Sequence, residues 1–177
     1  MAGEGRTGIL IVDDDPNLRK TLSDILEAKG YKAFAAKDGG EGLAMARDCV
    51  FNIALIDLKL PDISGLEVLE RVKAESPSAE AIIITGHATL ESAIEATNKG
   101  AFSFIQKPYD IDQLLLHIKH AVEKQKAAEE LRRQLDEVER LNKLMVGREL
   151  KMEQMKMRIK ELEAQVARLA PQGTTRE

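Results

Sequence analysis

The chain of 177 residues has one cysteine, no tryptophan and only six aromatic side chains. A lone thiol, Cys49, cannot form an internal disulfide and excludes a zinc site built from several cysteines. No apolar run approaches the roughly 18 residues that a membrane-spanning helix needs. Met1 to Arg6 carry no signal-peptide core, so a soluble, cytoplasmic protein without a membrane partner is expected. An excess of one charge is also missing, since 26 Lys and Arg face 30 Asp and Glu for a net of −4. Nothing in that balance attracts phosphate backbones in general, and nucleic acid is not expected as a partner.

Glycine and aromatic residues are scarce in one part of the chain. All six aromatics and ten of the twelve glycines precede residue 121. Residues 1–120 hold 13 basic and 19 acidic side chains, whereas 121–177 hold 13 and 11. The front therefore reads as globular and the back as an elongated helix without a core of its own. The boundaries expected are a tail over 1–7, a folded domain over 8–120, a helix over 121–170 and a disordered polar tail over 171–177.

Short apolar runs alternate with amphipathic ones through the front. The runs are Gly8–Val12, Lys32–Ala35, Ile53–Ile56, Ala81–Ile84 and Ser103–Gln106, and three of them are almost wholly apolar. Such strands belong in a sheet covered by helices on both faces. Helical periodicity lies near 16–29, 39–49, 64–75 and 90–99, and again from Ile111. Asp15 is placed to cap the first helix, Pro16 suits its first turn, and Gly30 follows its end. Five strand-then-helix units in a row predict an α/β fold with a five-stranded, parallel, doubly wound sheet.

Ligands of such sheets gather at the carboxyl ends of the strands. Those ends carry Asp13, Asp14 and Asp15 after the first strand and Asp57 after the third. Thr85 ends the fourth, and Lys107-Pro108 follows the fifth. Carboxylates brought together repel, and a hard divalent cation neutralises them; oxygen ligands without His or Cys favour Mg²⁺ or Mn²⁺. A carboxylate beside such a cation can attack phosphorus, because the metal screens its charge from the incoming anion. Lys107 would pair with the transferred phosphoryl oxygens, Thr85 would donate to one, and Gly86 would leave room for the group. The constellation suits transient aspartyl phosphorylation.

Four segments carry a resemblance: Val12-Asp-Asp-Asp15, Leu55-Ile-Asp-Leu-Lys-Leu-Pro-Asp-Ile-Ser-Gly65, Ile84-Thr-Gly-His-Ala88 and Gly100-Ala-Phe-Ser-Phe-Ile-Gln-Lys-Pro108. Through them residues 8–120 resemble the receiver (CheY-like) domain of two-component response regulators. The resemblance implies a flavodoxin-like fold and a phosphorelay role. Asp57 would be the phosphoacceptor, served by a cognate sensor histidine kinase. Asp13, Asp14, Asp57 and the backbone carbonyl of Lys59 would hold the Mg²⁺. Thr85 would be the switch hydroxyl, Phe104 the switch aromatic in place of the commoner Tyr, and Lys107 the phosphoryl partner. The Lys107–Pro108 peptide would be cis. Lys59 and His87 stand where the family tunes aspartyl-phosphate lifetime, although exposed loop residues are the plainer reading of both.

From Ile111 to Pro171 only Gly147 interrupts the helical pattern. Two seven-residue series run through it: Leu131, Val138, Met145, Met152, Ile159, Val166 and Gln134, Leu141, Arg148, Met155, Leu162, Leu169. Ten of the twelve positions are apolar, which makes a coiled-coil seam. A stripe so long needs a partner, and a parallel homodimer of about 60 Å of helix is the simplest solution. Gln134, Arg148 and Gly147 read equally as a soft joint or as tolerated imperfections. Residues 141–152 resemble signalling helices of two-component proteins.

The expected protein is thus a response regulator that signals to an unidentified downstream protein through receiver dimerisation and a coiled coil, not through a DNA-binding domain. The alternative is the receiver and linker of a larger sensor kinase or regulator. A true phosphohydrolase is disfavoured because Lys59 replaces the second Asp that such enzymes carry. Slow self-catalysed gain and loss of phosphate is the only chemistry expected.

Overall fold

The computed structural model describes residues 6–169, without the side chains of Val166, Ala167 and Leu169. The tail expected over 171–177, residues 1–5 of the other tail and two seam side chains, Val166 and Leu169, lie outside the described residues. The chain divides into two units, Met1–Ala128 and Glu129–Glu177.

Five strands and five helices alternate along the chain, the last helix running from the first unit into the second. They are β1 (Gly8–Val12), α1 (Pro16–Ala28), β2 (Lys32–Ala36), α2 (Gly39–Asp48) and β3 (Ile53–Ile56). After these come α3 (Gly65–Glu75), β4 (Glu80–Thr85), α4 (Leu90–Asn98), β5 (Ser103–Gln106) and α5 (Ile111–Leu169). The sheet order is β2-β1-β3-β4-β5 and every pairing is parallel. This is the flavodoxin-like arrangement that the apolar runs predict, with a long helix after it.

Period-two alternation divides the strand side chains between two cores. Leu10, Val12, Ala54, Ile56, Ala81 and Ile83 meet Leu43, Val68, Leu69, Val72 and Ala96, which come from α2, α3 and α4. Ile9, Ile11, Ile53, Leu55, Ile82 and Ile84 meet Leu22 and Leu26 of α1 and Leu114, Ile118 and Ala121 of α5. With both faces covered, β1 and β3 are apolar throughout.

Strand β4 starts one residue earlier than its apolar run suggests, at Glu80. Backbone pairing tolerates a carboxylate there because Lys124 lies 2.9 Å and Lys73 3.7 Å away. Asp15 caps α1 by accepting from the Asn17 and Leu18 amides, with Pro16 in the first turn. Packing of α5 continues past residue 120: Ala121 is fully buried and Gln125 bonds to Asn52 and Ser78. The composition change at residue 120 therefore comes before the end of the first unit, since its last anchors are polar.

Candidate functional site

Strand order runs one way from β1 to β2 and the other way from β3 to β5, and this reversal leaves a crevice at the carboxyl ends of β1 and β3. Asp13 follows β1 and Asp57 follows β3, and both are buried, at 4% and 6% exposure. Backbone bonds fix them: the Asp57 amide donates to Val12 O at 2.9 Å, and the Asp13 amide to Ala36 O at 3.2 Å. One oxygen of each is held locally. Asp13 Oδ1 accepts from the Asp15 amide at 2.9 Å, and Asp57 Oδ1 from the Lys59 amide at 3.0 Å. Asp14 is exposed beside them, and one oxygen from each of the three carboxylates lies within 4.8 Å of the others.

Lys107 joins the two buried acids. Its Nζ donates to Asp13 Oδ2 at 2.7 Å and to Asp57 Oδ2 at 2.5 Å. Burial pulls the Lys107 ammonium's pKa down, but the two carboxylate hydrogen bonds outweigh it and the net shift is upward. Asp13 is pushed up, because burial outweighs the bonds from Lys107 and the Asp15 amide. Three carboxylates against one ammonium leave two formal negative charges in the crevice. That donor set of hard oxygens, two minus in charge, fits a divalent cation such as Mg²⁺.

Thr85 is fully buried at the end of β4. Its Oγ1 accepts from the His87 amide at 3.2 Å, and its carbonyl accepts from the Lys107 amide at 2.8 Å. The backbone thus ties the hydroxyl and the lysine together across β4 and β5. The Lys107–Pro108 peptide is cis. Phe104 is half-buried and packs against the core beneath α2, α3 and α4. At Gly86 a Cβ would meet nothing within 4 Å, so packing in this state places no demand for glycine there.

Three supporting residues escape a reading of strand ends. At Gly65, the first residue of α3, a Cβ would stand 2.0 Å from Asp57 O and 2.7 Å from Leu58 Cα. Only glycine lets α3 start so close to the acidic residue's own backbone. Asp62 accepts from the Gly39 and Gly40 amides at 2.9 and 2.7 Å and ties the loop after Asp57 to α2. Those amide bonds hold its carboxyl below the usual value. Arg19 reaches back from α1 to donate to Asp13 O at 2.5 Å. The Gly65 signal lay within the matched motif, but neither tie has a local sequence signature.

Comparison with known proteins agrees with this geometry. Residues 9–119 match the response regulator receiver domain. The chain belongs to that family. Among solved structures, the CheY-like receiver protein from Methanospirillum hungatei is 40% identical, with a TM-score of 0.69 over 70% of this chain and 99% of that one. The beryllofluoride-activated NtrC4 receiver domain dimer is 36% identical, with a TM-score of 0.64 over 67% of this chain and 98% of that one. Nitrogen assimilation regulatory protein NtrX of Azorhizobium caulinodans is 32% identical over 176 residues, 96% of this chain. This chain covers 38% of that regulator's length.

Beyond the receiver, the second unit is the continuation of α5. Of the residues expected in a seam, Leu131, Val138, Leu141, Met145, Met152, Met155, Ile159 and Leu162 are described, and none is less than 45% exposed. Leu135 and Leu144, outside both seven-residue series, are exposed as well and flank the seam. Glu129 with Arg133 and Arg158 with Glu161 form ion pairs along the helix surface. Among the described residues, no helix is long and apolar enough to cross a membrane.

Proposed function

We propose that this receiver takes a phosphoryl group on Asp57 from a sensor histidine kinase and reports it through the pairing of its long helix. The observation that carries this reading is the position of Lys107, which bridges Asp13 and Asp57. A phosphoryl group on Asp57 offers Lys107 a more highly charged partner than either carboxylate, so the bridge must reorganise. In the transfer, an Asp57 oxygen would attack phosphorus as the kinase imidazole leaves. Asp13 and Asp14 stand beside Asp57, and the Lys59 carbonyl would complete the oxygen set. A bound Mg²⁺ or Mn²⁺ would supply charge neutralisation between these carboxylates and the phosphoryl oxygens. Thr85 Oγ1, at the rim, would turn from the His87 amide to the phosphoryl group, and Phe104 would fill the space that it leaves. No further turnover is assigned to the site beyond slow loss of the phosphoryl group to water.

The output would use two surfaces. Leu90 and Ile94 of α4 and Leu116 of α5 are 78%, 52% and 50% exposed, an apolar face suited to another receiver. The dimer named for the NtrC4 receiver supports that use. The helix seam would pair with a second copy in parallel. Covering each half-exposed seam residue contributes about 1 kcal/mol, enough across two chains to offset the cost of association. A cytoplasmic location fits this role. A second reading makes the receiver and helix the regulatory part of a longer regulator, favoured by the NtrX alignment along nearly all of this chain.

Light scattering with and without Mg²⁺ and beryllofluoride tests the proposal, with Asp57→Asn as control. A mass or shape response confined to the wild type is expected. Absence of any beryllofluoride response, with no acyl phosphate on Asp57 after treatment with a phosphodonor, would overturn it.

A further inference from the structure

At the amino ends of β3 and β4, opposite the end that carries Asp57, a polar clasp holds α5. Gln125 Oε1 accepts from Asn52 Nδ2 at 2.9 Å, and Gln125 Nε2 donates to Ser78 O at 2.8 Å. Asn52 is itself fixed, because its Oδ1 accepts from the Gly8 amide at 3.0 Å. The neighbouring Lys124 pairs with the buried Glu80 at 2.9 Å and lies 5.2 Å from the Phe102 ring centroid. Lys73 reaches the same carboxylate at 3.7 Å and donates to Ala79 O at 2.8 Å. Two successive residues of α5 therefore bind the ends of three strands by four polar or cation–ring contacts.

Those strands carry three of the residues of the site. Asn52 precedes β3, which leads to Asp57. Glu80 opens β4, which ends at Thr85, and Phe102 precedes β5, which leads to Lys107. The helix is attached at its other end too, since Lys107 and Pro108 lead into it. Between the two attachments Leu114, Ile118 and Ala121 seat it in the core. A rod held at its start and again four turns later transmits a displacement of its start. Held at the start alone, it would lose that displacement by fraying.

We propose that the Lys124–Gln125 clasp on Glu80, Asn52 and Ser78 is the coupling contact between the phosphorylation site and the helix from residue 129 onward. The proposal rests on the reading of Asp57 as phosphoacceptor. Lys124 and Gln125 are positioning residues, far from the acidic crevice. Their loss leaves the binding of phosphoryl mimics intact and removes the response of the helix.

Amide hydrogen exchange on the full chain tests this, comparing the wild type, Lys124→Met/Gln125→Leu and the milder Gln125→Asn. Without ligand, the amides of 122–128 should exchange about tenfold faster in the double variant and less so in Gln125→Asn. With Mg²⁺ and beryllofluoride, wild-type amides over 129–140 should change rate about threefold or more, whereas the double variant should show no change. Beryllofluoride affinity and the protection of β3 and β4 should be the same in all three. Equal exchange over 122–128 in all three proteins overturns the clasp whatever happens at Asp57. A wild-type response beyond residue 128 that survives in the double variant overturns the coupling, as does binding without any such response. If beryllofluoride fails to bind the wild type, the Asp57 reading and the coupling fall together, while the ligand-free exchange still judges the clasp. Should the double variant not fold, Gln125→Asn carries the same comparisons.

Discussion

The Lys107 ammonium sits 2.5 Å from Asp57 Oδ2 and 2.7 Å from Asp13 Oδ2, so one cation of the protein occupies both buried carboxylates of the crevice. Any metal at the site shares those carboxylates with Lys107. Removing the lysine leaves two buried acids unpaired, and Lys107→Met should lower stability by about 3 kcal/mol. Mg²⁺ should restore more stability to the variant than it adds to the wild type. Thermal melts with and without the ion give the comparison.

Asp14 offers the complementary test. It is exposed, so Asp14→Ala should shift the stability of the metal-free protein by no more than about 0.5 kcal/mol. At a Mg²⁺ concentration ten times its dissociation constant, the wild type should gain about 1.4 kcal/mol. The variant should gain almost nothing. An equal gain in both proteins would show that the ion acts elsewhere.

Gly65 tests the close approach of α3 to Asp57. An added Cβ at 2.0 Å from Asp57 O cannot be accommodated without moving backbone. Gly65→Ala should cost about 3 kcal/mol in urea melts and weaken beryllofluoride binding through the displaced loop. Gly147→Ala should do the reverse in the second unit. A Cβ there meets nothing within 4 Å, and helix content should gain about 1 kcal/mol of stability per chain, read by circular dichroism.

Asp62 supplies a pH test of definite sign. Its folded carboxyl is held below the ordinary 3.8 by the Gly39 and Gly40 amides. A depressed folded pKa contributes stability that is present above the unfolded value and is lost as pH falls through the folded one. Asp62→Asn should therefore be less stable than the wild type at pH 7. The difference should close as the pH falls below about 4, and denaturant melts at several pH values would follow it.

The strand ends with their carboxylates, hydroxyl and lysine were legible from sequence, because fully covered strands must be apolar and the first polar residue after each marks the rim. Gly8–Val12 and Ile53–Ile56 come out with the bounds read from sequence. The helix pattern from Ile111 and its exposed apolar stripe were equally legible, since periodicity is local. Glu80 was not read as strand, because its burial depends on Lys73 and Lys124 from distant helices.

Sequence by itself thus determined the fold class, the rim residues and the apolar stripe, all properties of local period and side-chain type. Tertiary structure alone decided that Lys107 bridges Asp13 and Asp57, that Asp62 ties its loop to α2, and that Gln125 grips Asn52 and Ser78. Each joins residues more than twenty positions apart. Their partners are chosen by how the layers pack, and no spacing along the chain encodes that choice.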